Sequence, residues 1–196
     1  MAVILASKSA ARRAVLTGAG IDFEVHISGV DEDILKDRLL GEGASVSQIA
    51  EALAEQKALK ISQSTPGLVI GADQTLDFQG RLYDKAETLV AARERLQHLR
   101  GQTHHLHSAV VVAMDGQVIW REVATSSLTM RDFSDAFLDG YLQSEGAEAL
   151  GSVGCYRLEG PGAQLFSKIE GDYFAILGLP LLGLLELLRA HGEVPA

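Results

Sequence analysis

Two hydroxyls and three cations crowd one short stretch of this sequence: Ser7, Lys8, Ser9, Arg12 and Arg13. The stretch follows the apolar run Val3-Ile4-Leu5. It leads into a helical pattern through Val15 and Leu16 that stops at Gly18 and Gly20. A loop entering a helix exposes backbone N–H groups that attract anions, and the guanidinium fork suits phosphate oxygens. Phosphate binding is one reading of these residues. A solvated loop with helix-capping serines is the other, because the Gly-Lys-Ser/Thr ending of a P-loop is missing.

Lys57 falls on the apolar stripe of a helix, after Val46, Ile49, Ala50 and Leu53. A lysine there must snorkel, pair, or face a cleft. Asp73 follows the buried-strand run Leu68-Val69-Ile70. That places a carboxylate outside a strand's carboxyl end, where α/β proteins put ligand sites. It could hold a metal, accept a proton from water, or merely cap a turn. Asp31-Glu32-Asp33 could ligate a hard cation, although such runs are usually solvated turns. His104, His105 and His107 have no carboxylate cluster nearby in sequence, so plain strand histidines are expected. Cys155 has no neighbouring base and is expected to be a packed thiol.

The elements that must position these groups are legible in outline. Strands are expected at residues 3–5, 23–27 and 68–70, and helices at 45–61, 86–100, 134–143 and 180–190. Ser45 and Gln48 have capping-box spacing. Asp115-Gly116 marks a hairpin between Ser108–Met114 and an arm running from Gln117 toward Met130. Strands and helices mingle, so the class is α/β in the mixed, α+β sense. No linker, repeat or low-complexity tract interrupts the chain.

Composition narrows the partners. The chain has 196 residues, 47% hydrophobic and 22% charged, with 17 Lys+Arg against 26 Asp+Glu. Its net charge of −9 argues against a general nucleic-acid or anionic-membrane surface. One cysteine rules out an internal disulfide and a thiolate zinc cluster. The apolar start, Ala2 to Ala6, is too short for a signal peptide or a membrane span. A single-domain cytoplasmic enzyme or binding protein is expected. A C2 homodimer is the commonest soluble assembly, but no sequence feature decides for or against one.

The run Leu5-Ala6-Ser7-Lys8-Ser9-Ala10-Ala11-Arg12-Arg13-Ala14-Val15-Leu16 resembles the N-terminal signature of the Maf family of nucleoside triphosphate pyrophosphatases. Further matches follow in the family's order: Val30-Asp31-Glu32, Ala54-Glu55-Gln56-Lys57-Ala58, Gly71-Ala72-Asp73 and Lys85. Gly154 to Gly162, Gly171-Asp172-Tyr173 and Gly178-Leu179-Pro180 complete them. The resemblance implies a long mixed sheet with helices and a cleft between two lobes. It implies hydrolysis of the α–β phosphate bond of a nucleotide, giving a monophosphate and pyrophosphate, with a divalent metal, Mg2+ or Mn2+. Carried over by position, Ser7, Ser9 and Arg12 look like the triphosphate grip, with Arg13 beside it. Asp73 looks like the general base, Glu32 like a metal ligand, and Lys57 and Lys85 like cleft cations.

Three further positions bear on the base. The branch acting on dTTP and UTP usually has Arg, Thr and Gln there, and the branch acting on 7-methyl-GTP has Trp, Gln and Glu. This chain has Ala11, Gln74 and Glu159. Two of the three resemble the 7-methyl-GTP branch, and a carboxylate can accept from guanine N1–H and its amino group. Ala11 lacks an aromatic face for a methylated, cationic purine. Asp84-Lys85-Ala86 replaces the family's usual Gly-Lys-Pro, and Ser152-Val153-Gly154 replaces its Lys or Cys before Ala-Gly. Two alternatives stand beside this expectation: a catalytically weak nucleotide-binding regulator of septum formation, and a house-cleaning hydrolase for inosine or xanthosine triphosphate.

Overall fold

The structure is a computed structural model that describes residues 1–195. Strand β1 (Val3–Leu5) is wholly buried and leads to helix α1 (Ala10–Gly18), capped by Ser9. Strand β2 (Glu24–Val25) is followed by α2 (Glu32–Gly41) and α3 (Val46–Ser62). Then come β3 (Leu68–Phe78), β4 (Arg81–Tyr83), α4 (Leu89–Leu99), β5 (Thr103–Met114) and β6 (Gln117–Met130). Helix α5 (Asp135–Glu145), β7 (Phe166–Glu170), the one-turn α6 (Tyr173–Ile176) and α7 (Leu181–Ala190) complete the order. The seven strands form one sheet in the order β2-β1-β3-β5-β6-β7, with β4 paired to β3. It is mixed: β1 runs parallel to β2 and β3, whereas β4 on β3 and β7 on β6 are antiparallel.

Contacts divide the chain into two compact units. The first holds Met1–Gln74, His107–Ala124 and the chain from Asp172 onward; the second holds Thr75–Leu106 and Thr125–Gly171. In the first unit, Leu5, Leu16, Leu68, Ile70, Val110, Leu179, Leu184 and Leu188 form one apolar cluster. A second cluster consists of small residues: Ala50, Ala54 and Ala58 of α3 against Ala109, Val111 and Ala113 of β5. Small side chains let a helix lie close to a sheet, and the site depends on that closeness. The second unit buries Leu76, Leu96, Leu99, Leu106, Leu128, Phe133 and Leu138.

Several expectations need correcting. The strand expected at 68–70 runs on to Phe78, because Leu76, Asp77 and Phe78 pair with β4 through the turn at Gln79-Gly80. Asp73 therefore sits within a strand, not beyond its end. The acidic run at 31–33 is not a loose turn. Asp31 accepts from Ile34 N and caps α2, with Glu32 and Asp33 in its first turn. That is where carboxylates complement a helix dipole. The strand expected at 23–27 shrinks to two exposed edge residues. Asp115 and Gly116 both have positive φ, 51° and 75°, as the hairpin reading requires.

The histidines alternate across β5 as the strand period demands: His104 is buried, and His105 and His107 are half-buried. His104 Nε2 meets Tyr156 Oη at 2.7 Å, and burial pulls its pKa down to about 4, so the imidazole is neutral near pH 7. Cys155 is buried, and burial pushes its thiol pKa up. Both therefore behave as packing residues.

Candidate active site

The candidate site in the first unit starts from a missing side chain. A Cβ on Gly71 would lie 2.1 Å from Ala54 O and 2.6 Å from Ala58 N, so only glycine lets α3 lie this close to β3. Gly71 and Asp73 share a face of β3 by the two-residue period. Asp73 therefore points toward the same helix, where Lys57 stands one turn after Ala54 and next to Ala58. Lys57 Nζ donates to Asp73 Oδ1 at 2.6 Å and pairs with Glu32 Oε1 at 2.8 Å. Lysine 57 is 6% exposed and Asp73 8%. The lysine on the apolar stripe does not snorkel; it is a buried cation shared by two carboxylates. Gly71→Ala should force α3 and β3 apart, costing about 2 kcal/mol of stability. A denaturant-unfolding midpoint unchanged from the wild-type value would show the close approach to be dispensable.

The loop before α1 supplies the second part. Ser9 Oγ accepts from Arg12 N at 3.4 Å and caps the helix. Ser7 Oγ accepts from Ser9 N at 3.2 Å and from Arg12 Nη1 at 3.0 Å. Arg12 Nε donates to Gly178 O at 2.8 Å. Neither arginine bond uses Nη2. Burial pulls the Arg12 pKa down, and the charges of Asp73 and Glu32 oppose that shift, so the guanidinium lies within their field. The buried arginine, the loop serines, Lys57, Glu32 and Asp73 thus belong to one constellation.

Ala11 is half-buried on α1, and Arg13 and Lys8 are exposed. Gln74 follows Asp73, and its amide nitrogen donates to Ser108 Oγ and to the carbonyls of Ala175 and Ile176. Lys85 and Glu159 lie in the second unit, both exposed; Lys85 follows β4, and the raised pKa of Arg157, due chiefly to its hydrogen bond with Glu145, owes its smallest share to the charge of Glu159. From the sequence alone Ser108 has no site role, and Gly178 is named only within a family match. A serine on a buried phase of a Val- and Ala-rich strand is the signal for the first. For the second the signal is the glycine of Gly178-Leu179-Pro180; the structure puts it at φ 95°, with a would-be Cβ 3.5 Å from Arg12 Nε.

A mixed α/β chain with a buried Arg-Lys-Asp constellation behind a serine loop defines a class suited to anionic ligands. The family described as Maf-like protein matches residues 2–191, and the chain belongs to that family. It is 60% identical over 192 residues to "Nucleoside triphosphate pyrophosphatase" of Caulobacter vibrioides, covering 98% of this chain and 96% of that protein. A protein of the same name from Granulibacter bethesdensis is 54% identical, covering 97% and 98%. The "7-methyl-GTP pyrophosphatase" of Rhizobium meliloti is 47% identical over 195 residues, covering 99% and 98%.

Proposed function

We propose that this protein is a nucleoside triphosphate pyrophosphatase that hydrolyses the α–β phosphate bond of a modified nucleotide, releasing a nucleoside monophosphate and pyrophosphate. The observation that carries the reading is the buried Lys57 bonded to both Asp73 and Glu32, with Arg12 in the same field. Phosphoryl transfer asks for neutralised charge and an oriented water more than for covalent machinery. Arg12 Nη2, Lys57 Nζ and the loop hydroxyls of Ser7 and Ser9 supply donors for phosphate oxygens. Asp73 gives Oδ1 to Lys57 and keeps Oδ2 to take the proton of the attacking water. The water oxygen bonds to phosphorus, the bridging P–O bond breaks, and pyrophosphate leaves with the bond's electrons.

Glu32 and Asp73 also bear on a divalent metal. Among the described residues no group of three or more His, Cys, Asp or Glu side chains is placed to hold a metal ion. Magnesium is usually held by one or two carboxylates plus substrate phosphates, and Glu32, half-exposed beside Asp73, fits that pattern. A bound Mg2+ or Mn2+ would add charge neutralisation at the phosphates. For Lys85 and Glu159 the reading rests on the resemblance alone. Gln74, and relatives named for 7-methyl-GTP, favour a guanine-type base.

The test is a product screen over ordinary and 7-methylated nucleoside triphosphates with magnesium or manganese. The expected result is pyrophosphate and monophosphate in equal amounts, fastest with 7-methyl-GTP, and no activity in chelator. Orthophosphate as the product would overturn the reaction type. Nucleotide binding without product would favour the regulator of septum formation. Purine preference with no gain from methylation would favour the inosine or xanthosine triphosphate hydrolase. No helix among the described residues is long and apolar enough to cross a membrane.

A further inference from the structure

The Gln74 amide nitrogen meets three acceptors: Ser108 Oγ at 2.9 Å, Ile176 O at 3.0 Å and Ala175 O at 3.1 Å. Two of these are backbone carbonyls, which only accept. The third, Ser108 Oγ, has one hydrogen, and that hydrogen goes to Ala175 O at 2.6 Å. Toward Gln74 the serine therefore offers a lone pair. Three acceptors around one end of an amide fix which end it is. The NH2 group turns toward them and Oε1 turns away. The carbonyl pair comes from α6, whose cap Asp172 accepts from Ala175 N at 2.8 Å. Two residues further on, Gly178 O holds Arg12. The short segment from Asp172 to Gly178 thus anchors both the arginine and the glutamine.

We propose that Ser108 is a positioning residue for nucleotide selection. Its hydroxyl, turned toward Ala175 O, adds a third acceptor to the two carbonyls that hold the Gln74 NH2, steadying the orientation in which Oε1 is the group Gln74 offers a ligand. The proposal rests on the reading of Gln74 as a base-contacting residue. A fixed acceptor favours a base edge rich in N–H donors, such as guanine N1–H with its amino group. It disfavours the uracil edge, where one N–H lies between two carbonyls. Ser108 is buried, so it acts through Gln74 and not on the nucleotide.

The test compares wild type, Ser108→Ala and Ser108→Thr. In Ser108→Ala, the ratio of kcat/KM for 7-methyl-GTP to that for UTP should fall about fivefold, mainly through KM, the size expected of one lost buried hydrogen bond. Ser108→Thr keeps the hydroxyl and should restore the ratio. Independently, NMR of the free protein should show a Gln74 side-chain N–H, assigned by its loss in Gln74→Met, protected from solvent exchange. That protection should drop in Ser108→Ala and persist in Ser108→Thr. Equal losses on both nucleotides, or unchanged Gln74 exchange in Ser108→Ala, would overturn the proposal. Wild-type protein releasing pyrophosphate from neither nucleotide would overturn the functional reading beneath it. In that case, faster Gln74 exchange in Ser108→Ala would still leave the hydrogen-bond assignment standing.

Discussion

Asp73→Asn should slow pyrophosphate release by about three orders of magnitude, the span of a lost general base, while the protein stays folded. The two halves of that expectation have separate causes. Asparagine has the size of aspartate, and its amide oxygen can still accept from Lys57. Lys57 also keeps Glu32 at 2.8 Å, so the buried ammonium is not left without a counter-charge. The thermal midpoint should therefore move by only a few degrees. The rate falls because an amide oxygen is not basic, so the water gives its proton to bulk solvent. Pyrophosphate release under saturating nucleotide, measured beside a thermal scan, checks both. Turnover within tenfold of wild type would remove Asp73 from the base role. A collapsed melting curve would instead make the residue a structural one.

Asp73 also shows how far the sequence could be read. The residue stood out in the sequence as a carboxylate after an apolar run. Its location did not. Leu68–Ile70 looks like a complete short strand, and the extension to Phe78 depends on the hairpin with β4, a tertiary pairing that local pattern does not encode. Helix α2 was hidden because Ile34, Leu35, Leu39 and Leu40 make only a weak stripe, and the acidic run reads as a turn until Asp31 is seen as its cap. The capping box of α3 and the Asp-Gly hairpin were legible because each is a local rule carried by adjacent residues. The Lys57–Asp73 bond was half legible. The stripe said that Lys57 must snorkel, pair or face a cleft; that it pairs, and with which carboxylate, depends on Gly71 and the small face of α3, which bring two elements close together. The carbonyls of α6 that hold Gln74 belong to the backbone and carry no residue-type signal at all.

Lys57→Met should cost about 3 kcal/mol of stability, as removal of one partner from a buried pair does. Methionine keeps the unbranched stem and packs against the same helix face. What it loses is the charge, and the loss falls unequally on the two carboxylates. The Glu32 side chain is 42% exposed and can turn to water, whereas that of Asp73 is 11% exposed and cannot. Arg12 is the remaining buried cation in the field of Asp73, but its Nε and Nη1 are committed to Gly178 and Ser7. Most of the penalty therefore belongs to Asp73. That argument makes a sharper demand on the double variant. Lys57→Met with Asp73→Asn removes the stranded charge and should be more stable than Lys57→Met alone. The coupling expected of groups in contact is about 1–2 kcal/mol. On activity the two changes should not multiply, because a site without its base has little left for the lysine to support. Denaturant unfolding of the three variants checks the first point, and product release checks the second. If the two stability losses simply add, Lys57 and Asp73 do not act as a pair, and the close approach permitted by Gly71 has no bearing on the chemistry.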